Sequence, residues 1–503
     1  MIKQRLTAIV TAFAFMLSPI LSVSAEAPRG TFYEIYVRAF ADSDGDGTGD
    51  LNGVTEKLQY LSDLGIGGIW LMPVFDAKSD HGYDSIDYRK IDSDYGTDED
   101  MRALLDAAHE KGISVILDLV LNHTSTDCPW FQDALSGGEK RDWYRFYDEE
   151  SGDPSLLSAK PLGGDAWHDS KGGEYYGVFW DGMPDLNLSN EEVKNELIDI
   201  ALYWLEMGVD GFRLDATSHF FAYGEEALKQ ETKRSGEFLK EFQTALRSQH
   251  PDCYIVGEAW ESLEKRKDII VGIDSVFNFD FSDKLIALLN NGGNANTFIK
   301  QMHDALQECE SVNADFLDAV FLSNHDQNRI LSQLKRRPER YKLAAGILLT
   351  FEGNPFLYYG EEIGMQGAKP DEQIRTPMLW GGDDASQCTF IESKYNKKTL
   401  SLAEQKDDPD SLYSYVRSLV RLRKEHDALL RGALVPIDTG NLKLMAYMRA
   451  SETDKVLVIH NLSSEPQLLT GECDISGVSP DALLFGALTD GMIPAYTTIA
   501  VQK

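Results

Sequence analysis

Residues 99–121 read EDMRALLDAAHEKGISVILDLVL, and the change of rhythm inside this stretch decides the fold. In EDMRALLDAAHEKG (99–112) the apolar residues fall at helical spacing. ISVILDLVL (113–121) is instead a short β-rich run. The same pairing of run and helical pattern recurs along the chain. Further runs are FYEIYV (32–37), GGIWLMPV (67–74), GFRLDA (211–216), CYIVGEAW (253–260), SVFNFDF (275–281), DAVFLSNHD (318–326) and NPFLYYGEE (354–362). NEEVKNELIDIALYWLEMG (190–208) is another helical segment between them. Eight strands alternating with helices predict an α/β fold, a closed parallel (β/α)8 TIM barrel. A doubly wound open sheet is the main competitor, and no G-x-G-x-x-G follows the first strand to favour it.

The spacing is uneven after the third strand. Residues 123–188 are rich in Trp, Tyr, Gly and Asp and lack helical periodicity, which predicts an inserted domain. The barrel is therefore expected to occupy 31–122 and 189–430, ending in the helix LYSYVRSLVRLRKEHDALL (412–430). Beyond it, LKLMAYMR and KVLVIHNL alternate between Gly and Pro punctuation, predicting an all-β C-terminal domain over 431–503.

Composition narrows the function. The 503 residues carry 82 acidic and 48 basic side chains, a formal charge of −34. Such a chain repels nucleic acid and anionic membrane surfaces and favours a neutral or cationic partner. Lys3 and Arg5 precede an apolar run, and Val23, Ala25 and Ala27 offer cleavage sites. Residues 1–25 are read as a signal peptide, with an uncleaved membrane anchor as the alternative; no later stretch is apolar enough to span a bilayer. Cys128, Cys253, Cys309, Cys388 and Cys473 lie far apart without a C-x-x-C pair, so neither a zinc site nor a dense disulfide framework is indicated.

Several strands end in polar residues that core packing does not select. Asp118, Asn122 and His123 close the third run, Arg213 and Asp215 the fourth, Glu258 the fifth, and Asn324, His325 and Asp326 the seventh. In a barrel these ends converge on the face where catalytic groups sit. Any one of them alone is more often an ion pair or a cap. Three carboxylates from three strands change that balance. Paired carboxyl groups in unlike surroundings can divide the work of an acid and of a nucleophile or base. Glu258, beside Trp260 in an apolar strand, is placed to keep its proton near neutrality, and Arg213 to hold Asp215 ionised on the same side of one strand.

DLVLNH (118–123), GFRLDATSH (211–219), GEAW (257–260) and FLSNHD (321–326) resemble, in order, the four sequence regions of the α-amylase family, glycoside hydrolase family 13. MPDLN (183–187), GNPFLYYGEEIGM (353–365) and IRTPMLW (374–380) resemble its subsidiary motifs. The resemblance implies a barrel with a B domain inserted after strand 3 and a C-terminal β-sandwich. It implies Asp215 as nucleophile, Glu258 as general acid/base and Asp326 as transition-state stabiliser. It also implies that His123 and His325 donate to the reacting glucose, that Tyr83 stacks beneath that ring, and that Arg213 and His219 belong to the substrate site. Trp130, Trp143, Trp167, Tyr175, Tyr176 and Trp180 are candidates for sugar stacking, most of them being needed for the inserted domain's own core.

DSDGDGTGD (42–50) places four aspartates at alternate positions. Counted as a helix-loop-helix calcium loop it fails at position twelve, where Gly53 stands in place of glutamate. A solvated acidic turn is the bland reading. The stretch resembles a calcium loop after the first strand in oligo-1,6-glucosidase-like members, implying a structural calcium on Asp42, Asp44, Asp46, Asp50 and the Thr48 carbonyl. A second site built on Asn122 lacks recognisable partners in 123–188.

MPDLN points to the group intermediate between oligo-1,6-glucosidases and neopullulanases. Region two has Ala216 after the nucleophile and keeps His219, but carries Ser218 where many amylases have lysine. Export favours a polymer that cannot enter the cell. The expected activity is endo-acting α-1,4 hydrolysis of starch, glycogen or maltodextrin by a secreted monomer, extracellular or periplasmic. An α-glucosidase or oligo-1,6-glucosidase acting end-wise is the alternative. A sugar-binding or transporter-associated protein without turnover is the non-enzymatic one, disfavoured because all three acids are present.

Overall fold

The computed structural model describes residues 27–147, 162, 164–221, 225–475 and 479–503. The expected signal peptide lies outside the described residues. Among the described residues no helix is long and apolar enough to cross a membrane.

Eight parallel strands form the central sheet: β1 (Phe32–Ile35), β2 (Gly68–Leu71), β3 (Ser114–Leu119), β4 (Gly211–Leu214), β5 (Tyr254–Gly257), β6 (Ser275–Val276), β7 (Ala319–Phe321) and β8 (Asn354–Tyr358). Their order is β6-β5-β4-β3-β2-β1-β8-β7, and a parallel bridge from Phe277 to Ala319 closes the ring. Both faces of each strand are buried, so the runs read as almost continuously apolar. Alternate side chains nevertheless go to different places. Phe32, Trp70, Ile116, Tyr254, Val256, Phe277, Phe321 and Phe356 pack together inside the barrel. Tyr33, Ile35, Ile69, Leu71, Val115, Leu117, Phe212 and Leu214 face outward into the helical shell. Gly68 is paired with Phe32, and a Cβ there would stand 2.3 Å from the Phe32 ring, so the aromatic layer requires a residue without a side chain.

The helices begin and end where local chemistry directs. Helix α1 (Leu51–Leu64) is capped by Asp50, which accepts from the Gly53 amide, and stops at Gly65 in the left-handed conformation. Helix α2 (Asp98–Glu110), the first half of the opening stretch, starts at a Thr97–Asp100 capping box. Helix α3 (Glu191–Met207) is capped by Asn190 and ends at Gly208. SVFNFDF is a correction to the expected strand: only Ser275–Val276 is extended. The Asn278 side chain accepts from the Phe281 amide and starts helix α4 (Phe279–Asn291), so a cap overrides the alternating phenylalanines. The helix expected at 412–430 is two pieces, α5 (Leu412–Glu425) and α6 (Asp427–Leu430), with a break at His426.

The chain leaves the barrel after β3 and returns before α3. His123 bridges Asp185, the Leu186 amide donates to the Asn122 carbonyl at 2.8 Å, and the Thr124 amide to the Pro184 carbonyl at 3.1 Å. The two ends of the excursion are thus zipped together at the barrel's rim. Within it, Trp143, Tyr144, Phe131 and Tyr175 make a small aromatic core, while Trp180 is half exposed.

At the other end, β9 (Ala433–Ile437), β10 (Leu444–Ala450), β11 (Lys455–Asn461), β12 (Leu483–Phe485) and β13 (Thr498–Gln502) form an antiparallel sheet in the order β9-β10-β11-β13-β12. Period-two alternation divides it. Met445, Tyr447, Val456, Val458 and Ala500 join the barrel's core. Leu444, Ala446, Leu457, Ile459, Ile499 and Val501 form a second core with Ile493, which lies on a two-stranded ribbon. Among the described residues Cys128, Cys253, Cys309 and Cys388 are buried free thiols, and Cys473 is buried as well.

Candidate active site

Asp215 directly follows β4 and Glu258 directly follows β5, which sets two acids side by side at the carboxyl ends of neighbouring strands. Arg213, inside β4 and fully buried, lies beneath both. Its Nη1 donates to Asp215 Oδ1 at 2.8 Å and to Asp118 Oδ1 and Oδ2 at 2.9 Å. Its Nη2 lies 2.7 Å from Glu258 Oε2. One planar guanidinium therefore organises three carboxylates, a task for which its rigid fork is suited. Ala216, directly after Asp215, has φ 49°, the left-handed region, and its amide donates to Glu258 Oε2 at 3.3 Å. That strained turn aims backbone and side chain together at the site.

Asp326 comes from the segment after β7. His325 Nε2 lies 3.0 Å from Asp326 Oδ2, and Arg375 Nη2 donates to Asp326 Oδ1 at 2.9 Å. Asp326, Asp215, Glu258, Tyr83, His123 and Arg375 all line one open cleft of about 320 Å³, with His81, Ala216, Phe179, Trp180, Met183 and Asp371. Another cavity lies at the opposite, amino-terminal end of the barrel strands, beside Asp274 and Asp318, and does not contain this constellation. The chemistry of the side chains, rather than the size of the hollow, marks the site.

The charges are arranged unequally. Burial pushes the Glu258 carboxyl up, against the pull of Arg213, with Asp215 and Asp326 adding to the rise. Asp326 behaves oppositely: although burial works against its charge, His325 and Arg375 hold it below the usual carboxylate range. His325 is pushed up to about 10, because Asp326 and Glu34 outweigh the cost of burying a cation. Burial raises Asp118 to about 7 despite Arg213, and Trp70 Nε1 and the Tyr83 hydroxyl both donate to Asp118 Oδ2. One acid is thus biased toward holding a proton and another toward being an anion, the separation that acid–base chemistry on paired carboxylates needs.

The other expected site residues divide. Tyr83 is partly buried at the cleft wall, with its hydroxyl 2.7 Å from His325 Nε2 and its ring stacked on His325. His123 is buried, and burial lowers it to about 4; its Nε2 is buried with no hydrogen-bond partner. A buried imidazole nitrogen without a partner in a cleft-lining residue is able to pair with a polar group brought into the cleft. Arg213 and His325 lie beneath the cleft and face carboxylates. His219 does not line it: Nδ1 lies 3.2 Å from Glu231 and the ring meets Phe179 edge-on. Trp260 is corrected in its surroundings, being 63% exposed and stacked on Phe279, so the burial of Glu258 comes from the barrel and not from the neighbouring indole. Glu34, Arg375 and Asp371 were not singled out by sequence reading. Glu34 sits in a barrel strand, and Arg375 had only its motif as a signal.

In the acidic loop, carboxylate oxygens of Asp42, Asp44 and Asp50 lie within 4.8 Å of one another, and this is the only such acid, histidine or cysteine cluster among the described residues. Asp46 is not drawn into it and instead accepts from the Thr48 amide. Asp42 accepts from the amides of Asp44, Gly45 and Gly47, and Asp50 is the cap of α1. Among the described residues no comparable cluster forms at Asn122, whose side chain contacts His123 and Asp185.

A barrel that gathers three acids round buried cations at the carboxyl ends of its strands has the makings of a glycoside hydrolase. Comparison bears this out. The family described as "Alpha amylase, catalytic domain" matches residues 34–432, and "Alpha-amylase SusG C-terminal domain" matches 444–478. Alpha-amylase 3 of Dictyoglomus thermophilum is 41% identical over 86% of this chain and 84% of its own length. An oligo-1,6-glucosidase of Heyndrickxia coagulans is 32% identical over 86% and 92%. The crystal structure of the α-amylase from H. orenii superposes with a TM-score of 0.85 at 40% identity, covering 95% of this chain and 99% of that one. The chain belongs to the α-amylase family and is a glycoside hydrolase.

Proposed function

We propose that this enzyme is an endo-acting α-amylase, cleaving α-1,4-glucosidic bonds of starch, glycogen or maltodextrins by double displacement with net retention. The observation that carries the reading is the sharing of Arg213 by Asp215 and Glu258. Two carboxylates on the two ends of one guanidinium suit the roughly 5 Å separation of retaining enzymes better than the roughly 6.5–9.5 Å that admits an attacking water. In the first step the Glu258 carboxylic acid gives its proton to the glycosidic oxygen while Asp215 attacks the anomeric carbon, releasing one chain and forming a glycosyl ester. In the second, Glu258 takes a proton from water, whose oxygen displaces Asp215. Asp326, kept anionic by His325 and Arg375, faces the positive charge that develops on the sugar.

Internal cleavage is supported by the open cleft and by half-exposed aromatic faces beside it, Phe179 and Trp180, with Trp260 two residues beyond Glu258. Such faces suit a chain that runs past the acids in both directions. The end-wise alternative draws support from the Heyndrickxia relative. Early products from soluble starch separate the two: mixed maltooligosaccharides support internal cleavage, and glucose alone overturns it. Purified Asp215→Asn and Glu258→Gln should each lose at least 10³-fold in kcat with Tm nearly unchanged; hydrolysis unaffected by either would sink the carboxylate mechanism.

A structural calcium held by Asp42, Asp44 and Asp50, with Asp46 and the Thr48 carbonyl completing the shell by a small loop adjustment, belongs to the same proposal, as does export by residues 1–25. The donor set is all oxygen, as a hard cation prefers. The ion would brace the loop ahead of α1 and take no part in bond cleavage.

A further inference from the structure

Glu34 is a charged side chain in the interior of β1, 1% exposed. Its strand neighbour Phe32 belongs to the aromatic layer inside the barrel, with Trp70 and Phe356. A carboxylate above such a layer is costly unless a partner compensates it. The partner is His325, from the far side of the closure: Glu34 Oε1 lies 2.6 Å from Nδ1 and also accepts from the His325 backbone amide at 3.3 Å. The ring packs edge-on against Trp70. With Nδ1 and the backbone both tied to Glu34, Nε2 can point only toward the mouth, where the Tyr83 hydroxyl stands at 2.7 Å and Asp326 Oδ2 at 3.0 Å.

We infer that Glu34 is a positioning residue for the reaction: it holds His325 as an oriented imidazolium, and through it fixes the orientation and negative charge of Asp326. The chain of contacts runs Glu34–His325–Asp326, with Arg375 closing the far side of Asp326 and donating from Nε to the His325 carbonyl at 3.0 Å. A neutral imidazole has one N–H, whereas both ring nitrogens here face acceptors, which requires the doubly protonated form. Charged and titratable groups surround it from several elements: Glu34 from β1, Tyr83 from the loop after β2, Asp118 from β3 with Arg213 of β4 and Asp215 just after β4 beyond it, Glu258 after β5, Asp326 beside it and Arg375 after β8. Glu34 is the buried anion that contacts the ring from below, and Arg375 meets the His325 backbone carbonyl instead of the ring.

The inference rests on the role proposed for Asp326. Glu34→Gln keeps an acceptor for Nδ1 and removes the charge, and Glu34→Asp keeps the charge on a shorter arm. Both are assayed for Tm, for the pH profile of kcat/KM, and by NMR of enzyme labelled at histidine Cε1. In the wild type one histidine should stay cationic to pH 9, and in Glu34→Gln that resonance should titrate at least one unit lower. The same variant should lose at least tenfold in kcat with little change in KM, its alkaline limb should steepen and begin earlier, and Glu34→Asp should recover part of the loss. A Glu34→Gln enzyme with wild-type kcat and an unmoved alkaline limb overturns the inference, as does a loss of activity that merely tracks a fall in Tm. Asp326→Asn, run alongside, separates the two readings: if it retains activity, the underlying role of Asp326 fails; if it is inactive while Glu34→Gln is not, only the role of Glu34 fails.

Discussion

Replacing Arg213 by lysine retains a positive charge in the site but removes the fork. The guanidinium reaches Asp118 Oδ1 and Oδ2, Asp215 Oδ1, the Tyr83 hydroxyl and Glu258 Oε2 from two nitrogens. An ammonium has three donors on one atom and cannot span neighbouring strands. At least one catalytic carboxylate is therefore released. A hydrogen bond to a charged group contributes about 1.5–3 kcal/mol, so each carboxylate set loose should lower kcat by about 10- to 150-fold. Arg213→Met goes further and leaves buried acids without their cation, a change that costs about 3–5 kcal/mol of stability when one partner of a buried pair is removed. Its pH behaviour has a definite sign. Arg213 pulls the Glu258 carboxyl down against the rise caused by burial. Removing that pull must raise it further, so with Glu258 as the proposed general acid it stays protonated to higher pH and the alkaline limb of kcat/KM moves upward. The assays are steady-state kinetics on a chromogenic maltooligosaccharide from pH 4 to 10 and thermal unfolding at neutral pH. A lysine variant within threefold of wild-type kcat, or a methionine variant whose alkaline limb stays put or moves down, would refute the reasoning.

Two further outcomes test the periphery of the site. Chelation should lower Tm of the wild type, and Asp44→Asn should abolish that calcium-dependent difference while matching the wild type in chelator, because the Asp44 side chain is exposed; equal calcium shifts in both proteins count against the loop site. Trp260→Ala should leave Tm within about a degree, since the indole is 63% exposed, yet raise KM for soluble starch about 2- to 12-fold, the equivalent of an aromatic contact of about 0.5–1.5 kcal/mol; an unchanged KM removes Trp260 from the substrate path.

Sequence alone was enough for the barrel and for the convergence of its acids. Period and punctuation are local properties: the run at 113–121 and the helix before it need only neighbours in the chain to declare themselves, and parallel strands place all their carboxyl ends on one face. Asp215, Glu258 and Asp326 were legible because polar residues at apolar strand ends stand out. What the tertiary structure decided are relations across the ring. Glu34 and Asp326 are brought into one chain of contacts only because β1 lies beside β8, which in turn pairs with β7. Arg375 reaches Asp326 from a loop beyond β8. The outward turn of Trp260 onto Phe279 and the edge-on seating of His219 against Phe179 follow from packing partners distant in sequence, whereas Asp46 is held out of the acidic cluster locally, by the Thr48 amide. The reason is physical: a side chain's charge state and direction depend on which buried groups surround it, and those neighbours are assembled by closure of the sheet, which no single stretch of chain contains.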